Sequence, residues 1–189
     1  MNFIEQYPDA LSAEYCDELI ELFEGQADRH DVGRTSSGVN LDVKDSVEIF
    51  ISEELLEEDR QWADVVERLG VALNAAVDDY KAKYPMIEEI STWALTLPIN
   101  FQRFNPGQGF KKWHCEVGGH VTATRTLVWM LYLNTVEDRR GTDFLSQEFT
   151  CKAEAGKLVI WPPYWTHFHR SQVSPSETKY ILTGWMHFI

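Results

Sequence analysis

Apolar residues recur at helical spacing in two segments of the first half of the chain. After Ser12, a residue type that caps helix N-termini, one stripe consists of Tyr15, Cys16, Leu19, Ile20 and Phe23. A second, longer stripe runs from Trp62 to Tyr80, and Pro85 prevents its continuation. The spacing therefore predicts two amphipathic helices, the first ending at Gly25.

The segment between the two helices is predominantly polar. Residues 25–45 contain several Gly, Ser and Asn and are predicted to form a loop, and residues 47–51 are predicted to form a short strand. The acidic run that follows, at Glu53, Glu54, Glu57, Glu58 and Asp59, is interpreted as a solvated helix face or loop.

The second half has the pattern of β-strands. β-Branched and aromatic residues form predicted strands at residues 92–97, 99–104, 124–133, 158–161 and 179–188. Turn residues separate them, and no strand–helix alternation is present, so a doubly wound parallel sheet is not expected. Helices followed by antiparallel strands favour an α+β sandwich or barrel flanked by N-terminal helices.

Length and charge narrow the class of protein. A chain of 189 residues fits a single domain, with residues 1–90 as mainly helical support and loops and residues 91–189 as the sheet core. The net charge of −13 argues against a nucleic-acid partner, because phosphate backbones are bound by Lys and Arg clusters. No signal peptide or membrane-spanning stretch is evident, and three widely spaced cysteines form no disulfide framework, so a cytoplasmic location is expected.

Histidines provide the candidate chemistry. His114 and Glu116 are two residues apart in a predicted strand or strand end, where both side chains project from one face. Alone, such a pair is a weak signal. Joined by a histidine some fifty residues later, it provides two imidazoles and one carboxylate, a set that binds Fe(II) and leaves coordination positions open.

Two residues compete for the role of the late histidine. His167 and His169 follow the predicted strand at 158–161 and are expected to share a face, so geometry does not separate them. The spacing of ten residues before Lys179 favours His169, whereas the distance from Pro162 favours His167. His169 is preferred, with His167 as the alternative.

Lys179 strengthens the metal hypothesis. It begins the last apolar strand, where an ammonium group is costly to bury without an anion. A dicarboxylate co-substrate beside the metal would supply that anion.

From about residue 101 to residue 189, the sequence resembles the prolyl 4-hydroxylase-like branch of the Fe(II)/2-oxoglutarate dioxygenases. The motifs that carry the resemblance are F-N-P-G-Q-G at 104–109, R-T-L at 125–127 with Y-L-N at 132–134, G-K-L-V-I-W-P at 156–162, and K-Y-I-L-T-G-W at 179–185. Several ordered motifs together are far more specific than any one of them.

The resemblance implies a double-stranded β-helix (jelly roll) and an Fe(II)- and 2-oxoglutarate-dependent hydroxylase. It assigns His114, Glu116 and His169 to iron, and Lys179 to the 5-carboxylate of 2-oxoglutarate. The reaction would consume O2, with ascorbate as an additional reductant. The expected substrate is a prolyl residue of a peptide or protein, a free amino acid or another small molecule.

The chain departs from the family pattern at three places. Glu116 replaces the usual Asp, and residues 139–142 replace a Gly-Gly turn. Phe104 stands where a Tyr commonly binds the co-substrate, and Gln102 or Tyr132 is the candidate replacement.

Three further residues are candidates for substrate contact: Arg125, His120 and Trp185. The alternative is a structural ion pair for Arg125, an exposed loop position for His120 and a place in the core for Trp185. Residues 33–40 are a candidate substrate lid or a plain connector.

The alternative function is a non-catalytic, cupin-like module that binds a metal or small molecule. Its sheet would have the same pattern, but such a module has no need for a buried Lys179. A purely structural domain is the third hypothesis, which metal analysis would test.

Overall fold

The computed structural model describes residues 1–35, 37–138 and 141–189. Within them lie the helices α1 (Ala13–Gly25), α2 (Glu53–Glu58) and α3 (Arg60–Lys83). The strands in the same residues are β1 (Glu5–Tyr7), β2 (Asp31–Val32), β3 (Lys44–Asp45), β4 (Val47–Ile51), β5 (Trp93–Phe104), β6 (Gly109–Phe110), β7 (Arg125–Tyr132), β8 (Thr142–Phe144), β9 (Phe149–Cys151), β10 (Leu158–Trp161), β11 (His169–Ser171) and β12 (Lys179–Phe188). Residues 139 and 140 of the altered turn lie outside the described residues.

The two predicted helices are confirmed as α1 and α3. The Ser12 hydroxyl accepts a hydrogen bond from the Tyr15 amide at 3.2 Å, which caps α1. The apolar stripe of α3 is buried, and the helix stops before Pro85, which begins a 3-10 turn. The acidic run forms the short helix α2, whose glutamates are exposed. No helix in the described part of the chain is both long and apolar enough to cross a membrane.

Antiparallel sheets form the rest of the molecule. The largest has seven strands in the order β1-β10-β7-β12-β5-β4-β2. A three-stranded sheet, β11-β8-β9, and the pair β3-β6 complete the described β structure. The prediction of an α+β fold with antiparallel sheets and N-terminal helices is confirmed.

Most of the long predicted strands are confirmed with small changes at their ends. The segments predicted at 92–97 and 99–104 form one strand, β5, whose pairing with β12 shifts register near Pro98. Proline lacks an amide donor, so it is tolerated where the ladder is irregular. The segment predicted as a loop at 25–45 contains the two-residue strands β2 and β3, which are too short to produce a periodic pattern.

Side chains of the large sheet alternate between two apolar layers. One face packs on α1 and α3 through residues such as Phe101, Leu131 and Leu182. The opposite face, which we call the inner face, packs toward β8 and β9 through residues such as Tyr132 and Ile181. Since the alternation is strict within each strand, sequence parity decides which residues of β5, β7 and β12 can reach the space between the two sheets.

Gly184 on β12 gives a test of this packing. A Cβ atom added there would lie 2.5 Å from Cζ2 of the fully buried Trp129. Gly184→Ala should therefore lower the free energy of unfolding by roughly 1–3 kcal/mol through overpacking, measured by urea denaturation.

Gly70→Ala in α3 is the matched control, because a Cβ there would have no heavy atom within 4 Å. This variant should be stabilised by roughly 0.5–1 kcal/mol, since alanine is the better helix former. Equal effects of the two substitutions would contradict the packing argument.

Candidate metal centre

Three residues predicted from the sequence meet in space. Oε1 of Glu116 lies 3.5 Å from Nε2 of His114 and 3.3 Å from Nε2 of His169. One ligand atom from each of the three lies within 4.8 Å of the others. The arrangement offers two imidazoles and one carboxylate to a single cation.

Backbone hydrogen bonds hold the two histidines together. The His114 amide donates to the His169 carbonyl at 3.0 Å, and the His169 amide donates to the His114 carbonyl at 2.8 Å. The Glu116 amide donates to the Pro163 carbonyl at 2.9 Å. His114 therefore lies in an isolated bridge, and the expectation that His114 and Glu116 share a regular strand is wrong.

The orientation of both imidazole rings is set by backbone carbonyls. Nδ1 of His114 lies 2.9 Å from the Lys112 carbonyl, and Nδ1 of His169 lies 2.9 Å from the His167 carbonyl. A carbonyl accepts a hydrogen bond, so each Nδ1 carries the proton and each Nε2 presents its lone pair to the cluster.

Glu116 is held from outside the cluster by Arg125 and Trp185. Oε2 accepts hydrogen bonds from Trp185 Nε1 at 3.0 Å and from Arg125 Nη1 at 3.2 Å. The same Nη1 also donates to the Glu116 carbonyl at 2.8 Å, and the guanidinium stacks 3.7 Å from the Trp185 ring centroid. Oε2 is thus occupied, which leaves Oε1 to face the histidines.

The ionisation of the cluster suits a divalent cation. Burial alone would raise the pKa of Glu116, but His114 and His169, when protonated, outweigh burial by hydrogen bonding and charge and hold this pKa well below its ordinary value. Burial, with the neighbouring His169, lowers the pKa of His114. A carboxylate beside a neutral imidazole is the state that metal binding requires.

His167 lies apart from this cluster. It ends the 3-10 turn Trp165–His167, and its Nε2 is 2.8 Å from the Asn2 carbonyl. The expectation that His167 and His169 share a face is wrong, because strand alternation begins only at His169, the first residue of β11.

Lys179 is the first residue of β12 and is 4% exposed. Its Nζ donates to Ser171 Oγ at 2.6 Å, to the Gln172 carbonyl at 3.2 Å and to the Gly141 carbonyl at 3.3 Å. These acceptors are neutral, so burial dominates and lowers the pKa of Lys179 to about 8. The inner face thus contains a buried cation without a carboxylate in contact among the described residues.

The two candidate replacements for the missing tyrosine lie on the inner face. Tyr132 donates its hydroxyl hydrogen to Thr142 Oγ1 at 2.7 Å, beside Gly141 and therefore close to Lys179. Gln102 donates through Nε2 to Thr183 Oγ1 at 2.9 Å. His120, by contrast, begins an exposed 3-10 turn.

Phe110 is part of the site and was missed by the sequence analysis. Its ring stacks on His114 with centroids 3.5 Å apart and planes 10° apart. In the sequence, its role could be indicated only by the position of an aromatic residue four residues before His114. Strand periodicity does not distinguish such a residue from an ordinary core residue.

A family comparison matches the part of the chain that contains this site. Residues 99–187 match the 2OG-Fe(II) oxygenase superfamily. No match was found among curated proteins.

Solved structures show the same fold over almost the whole chain. The viral collagen prolyl hydroxylase of Paramecium Bursaria Chlorella virus-1 has a TM-score of 0.70 at 16% identity, covering 100% of this chain and 97% of its own. The prolyl hydroxylase of Trichoplax adhaerens, solved with a hypoxia inducible factor peptide, has a TM-score of 0.74 at 14% identity, covering 99% and 84%. SnoN, a non-heme α-ketoglutarate-dependent epimerase from nogalamycin biosynthesis, has a TM-score of 0.66 at 14% identity, covering 99% and 78%.

The double-stranded β-helix expected from the resemblance is confirmed by these likenesses, and the superfamily match implies Fe(II) and 2-oxoglutarate as cofactors. The matched residues, 99–187, include His114, Glu116, His169 and Lys179. Over residues 99–187, which contain the candidate metal centre, the chain matches the 2OG-Fe(II) oxygenase superfamily.

Proposed function

We propose that the chain is a hydroxylase that binds iron through His114, Glu116 and His169 and oxidises a prolyl residue, another amino acid or a small molecule. The observation that carries this proposal is the convergence of two Nε2 atoms and Glu116 Oε1. Two imidazoles and a carboxylate match the ligand set of Fe(II) oxygenases, and an iron held by these three residues would keep coordination positions open for the co-substrate.

Lys179 provides the fit to 2-oxoglutarate. A buried ammonium that touches only neutral acceptors gains most from an anion, and the hydroxyl of Ser171 lies 2.6 Å from it. We assign the distal carboxylate of 2-oxoglutarate to Lys179, with the Tyr132 hydroxyl as its neighbour and Gln102 farther along the inner face.

The chain's own residues act by holding and shielding the reacting groups. Fe(II) with 2-oxoglutarate and O2 supplies an oxidant strong enough to hydroxylate an unactivated C–H bond, with release of succinate and CO2. Arg125 and Trp185 fix Glu116, so we propose that both are positioning residues instead of substrate contacts. The Phe110 ring covers one face of His114 and excludes water from it.

Two structures with the same fold are prolyl hydroxylases, which supports prolyl hydroxylation by this chain. A third is an epimerase, so the fold alone does not determine the reaction. The competing function, a non-catalytic metal-binding module, would leave the buried cation at Lys179 without a purpose. The net charge of −13 supports a substrate other than nucleic acid, and a cytoplasmic location stays a prediction.

The first test compares the two candidate histidines. His169→Ala should abolish binding of Co(II), used as a stable stand-in for Fe(II), because it removes one of three ligands. His167→Ala should keep Co(II) binding, since its ring contacts the Asn2 carbonyl instead.

Succinate release from 2-oxoglutarate with Fe(II) is measured alongside, with Lys179→Met as a third variant. Lys179→Met should bind Co(II) normally and release no succinate. Metal binding without succinate release by the wild type would favour the non-catalytic module.

Binding of 2-oxoglutarate should depend on the charge of Lys179. In the free protein its pKa is about 8, so the ammonium is present below that pH and lost above it. The dissociation constant of 2-oxoglutarate should therefore rise above about pH 8, by at most about tenfold per pH unit, as one proton is linked to binding. Calorimetry on the Co(II)-loaded protein measures this.

Lys179→Arg is the control, because a guanidinium remains charged across the same range. It should bind 2-oxoglutarate less tightly, owing to its larger size, but with a flat pH profile up to about pH 9.5. A rise above pH 8 that persists in this variant would contradict the role of Lys179.

The positioning role of Trp185 predicts a loss of metal affinity. Trp185→Phe keeps a ring but removes the 3.0 Å hydrogen bond to Glu116, and Co(II) should bind roughly 10–100-fold more weakly. Trp165→Phe, an exposed tryptophan, should change nothing. If both variants bind Co(II) like the wild type, the contacts to Oε2 do not position the ligand.

A further inference from the structure

The first half of the chain contributes a second group of buried polar side chains, which the proposed function does not use. Lys44, Ser46, Glu48 and Asn100 are all buried, and Glu48 is 0% exposed. They come from β3, β4, β5 and the residue between β3 and β4. We call these four residues the β4 polar cluster.

Glu48 is the centre of the cluster. Its Oε1 lies 2.6 Å from Lys44 Nζ and accepts a hydrogen bond from Ser46 Oγ at 2.7 Å. Its Oε2 accepts a hydrogen bond from Asn100 Nδ2 at 3.1 Å. The contacts form one connected network around a fully buried carboxylate.

The cluster adjoins the candidate metal centre. Lys44 pairs with Phe110 across β3 and β6, and its Nζ lies 5.8 Å from the centroid of the ring that stacks on His114. Asn100 pairs with Thr183 of β12, between the Lys179 end of that strand and Trp185. The cluster is therefore one aromatic ring from His114 and beside the stretch of β12 that links the two proposed binding groups.

Parity places Asn100 on the inner face. Asn100, Gln102 and Phe104 alternate along β5, and Phe104 belongs to the apolar layer of that face and lies under Lys179. At about 3.3 Å per residue, Asn100 is about 13 Å along β5 from Phe104. That separation suits a substrate group next to the metal, beyond the end of a bound 2-oxoglutarate.

Stability alone does not account for this network. Burying an ion pair removes two charges from water, and apolar side chains of similar size often stabilise as well or better. The cluster is also tightly packed at Gly33, where a Cβ atom would lie 2.0 Å from Ser46 Oγ. The chain thus buries polar side chains at a place where apolar side chains would stabilise the fold as well or better.

One acceptor in the cluster has no donor. Asn100 is 4% exposed, and its Oδ1 has no hydrogen-bond partner among the described residues. Exchanging the amide oxygen and nitrogen would place Oδ1 against the Glu48 carboxylate, so the orientation is determined by chemistry. A buried acceptor left unpaired costs about 1–3 kcal/mol, which a ligand with a matching donor recovers.

A second acceptor position lies beside the first. Glu48 Oε2 accepts one hydrogen bond from the described residues, from Asn100 itself, and a carboxylate oxygen can accept two. A nitrogen that carries two hydrogens can satisfy both acceptors, and a single amide N–H can satisfy Asn100 Oδ1.

We propose that Asn100, held in place by the β4 polar cluster, binds the substrate by accepting a hydrogen bond from a substrate N–H group at its Oδ1. The inference rests on the proposed function and deepens it, since it assigns the substrate to compounds with an ammonium or amide N–H near the oxidised carbon. Glu48 and Lys44 hold Asn100 in place and are positioning residues.

The test uses probes that differ in this one group. Free amino acids, including L-proline, carry N–H groups on an ammonium, their N-acetyl forms lose that charge, and N-acetyl-L-proline has no N–H at all. A capped prolyl tripeptide offers amide N–H groups instead. Calorimetry on the protein loaded with Co(II) and 2-oxoglutarate under nitrogen measures binding of each probe without turnover.

At least one amino acid or the capped peptide should bind to the wild type, and N-acetyl-L-proline should not. Asn100→Leu, which keeps the size but removes the acceptor, should weaken that probe by about 10–100-fold, the loss expected when a buried donor goes unpaired. Affinity for 2-oxoglutarate should stay within about twofold, because Lys179 lies on another part of the inner face. Binding to the peptide alone, or to an amino acid alone, identifies the source of the N–H group.

Two further variants distinguish a specific loss of probe binding from misfolding. Asn100→Ala cannot clash and should reproduce the loss, and Ser46→Ala removes a contact on the Oε1 side of Glu48 and should have a much smaller effect. Circular dichroism and thermal melting check each fold.

Unchanged probe binding in both Asn100 variants would overturn the inference, and so would a wild type that binds no probe. The proposed function fails separately, if the wild type binds no metal and releases no succinate from 2-oxoglutarate.

Discussion

The antiparallel pairing of β12 with β5 and β7 is the constraint on which the whole arrangement depends. The strand is paired along most of its length on both sides, so its side chains have no freedom to change faces. Lys179 at its start and Trp185 near its end therefore project to the inner face, while Leu182 and Met186 pack toward the helices. One strand in this way determines the distance between the buried cation and the group that holds Glu116.

A second, much smaller interaction completes the centre. Two backbone hydrogen bonds join His114 to His169, residues that no regular strand pairing would align. Because the bonds are made by the main chain, the two rings are placed independently of their own side-chain chemistry. The carbonyls of Lys112 and His167 then select the tautomer, so Nε2 is the free nitrogen on each ring.

Electrostatics links this centre to the rest of the inner face. Glu116 is tied to Arg125, and Glu48 to Lys44, whereas Lys179 touches only neutral oxygens. Arg125 and Lys44 are thus compensated by carboxylates within the chain, whereas Lys179 has no carboxylate in contact among the described residues. The longer Glu116, at the position where the family usually has Asp, is accommodated because Trp185 and Arg125 hold its outer oxygen.

The sequence by itself determined the two amphipathic helices, the long strands and the grouping of His114, Glu116 and a late histidine with Lys179. These features depend on local periodicity and on motif order, which a chain displays before it folds. The tertiary structure alone decided the rest. His167 leaves the shared face because a 3-10 turn interrupts strand alternation, and Arg125 and Trp185 contact Glu116 because β7 and β12 are neighbours. Glu48 alternates with apolar residues along β4, yet it is fully buried, because the folded chain brings Lys44, Ser46 and Asn100 around its carboxylate. Parity tells which residues share a face, but what covers that face is set by segments distant in sequence.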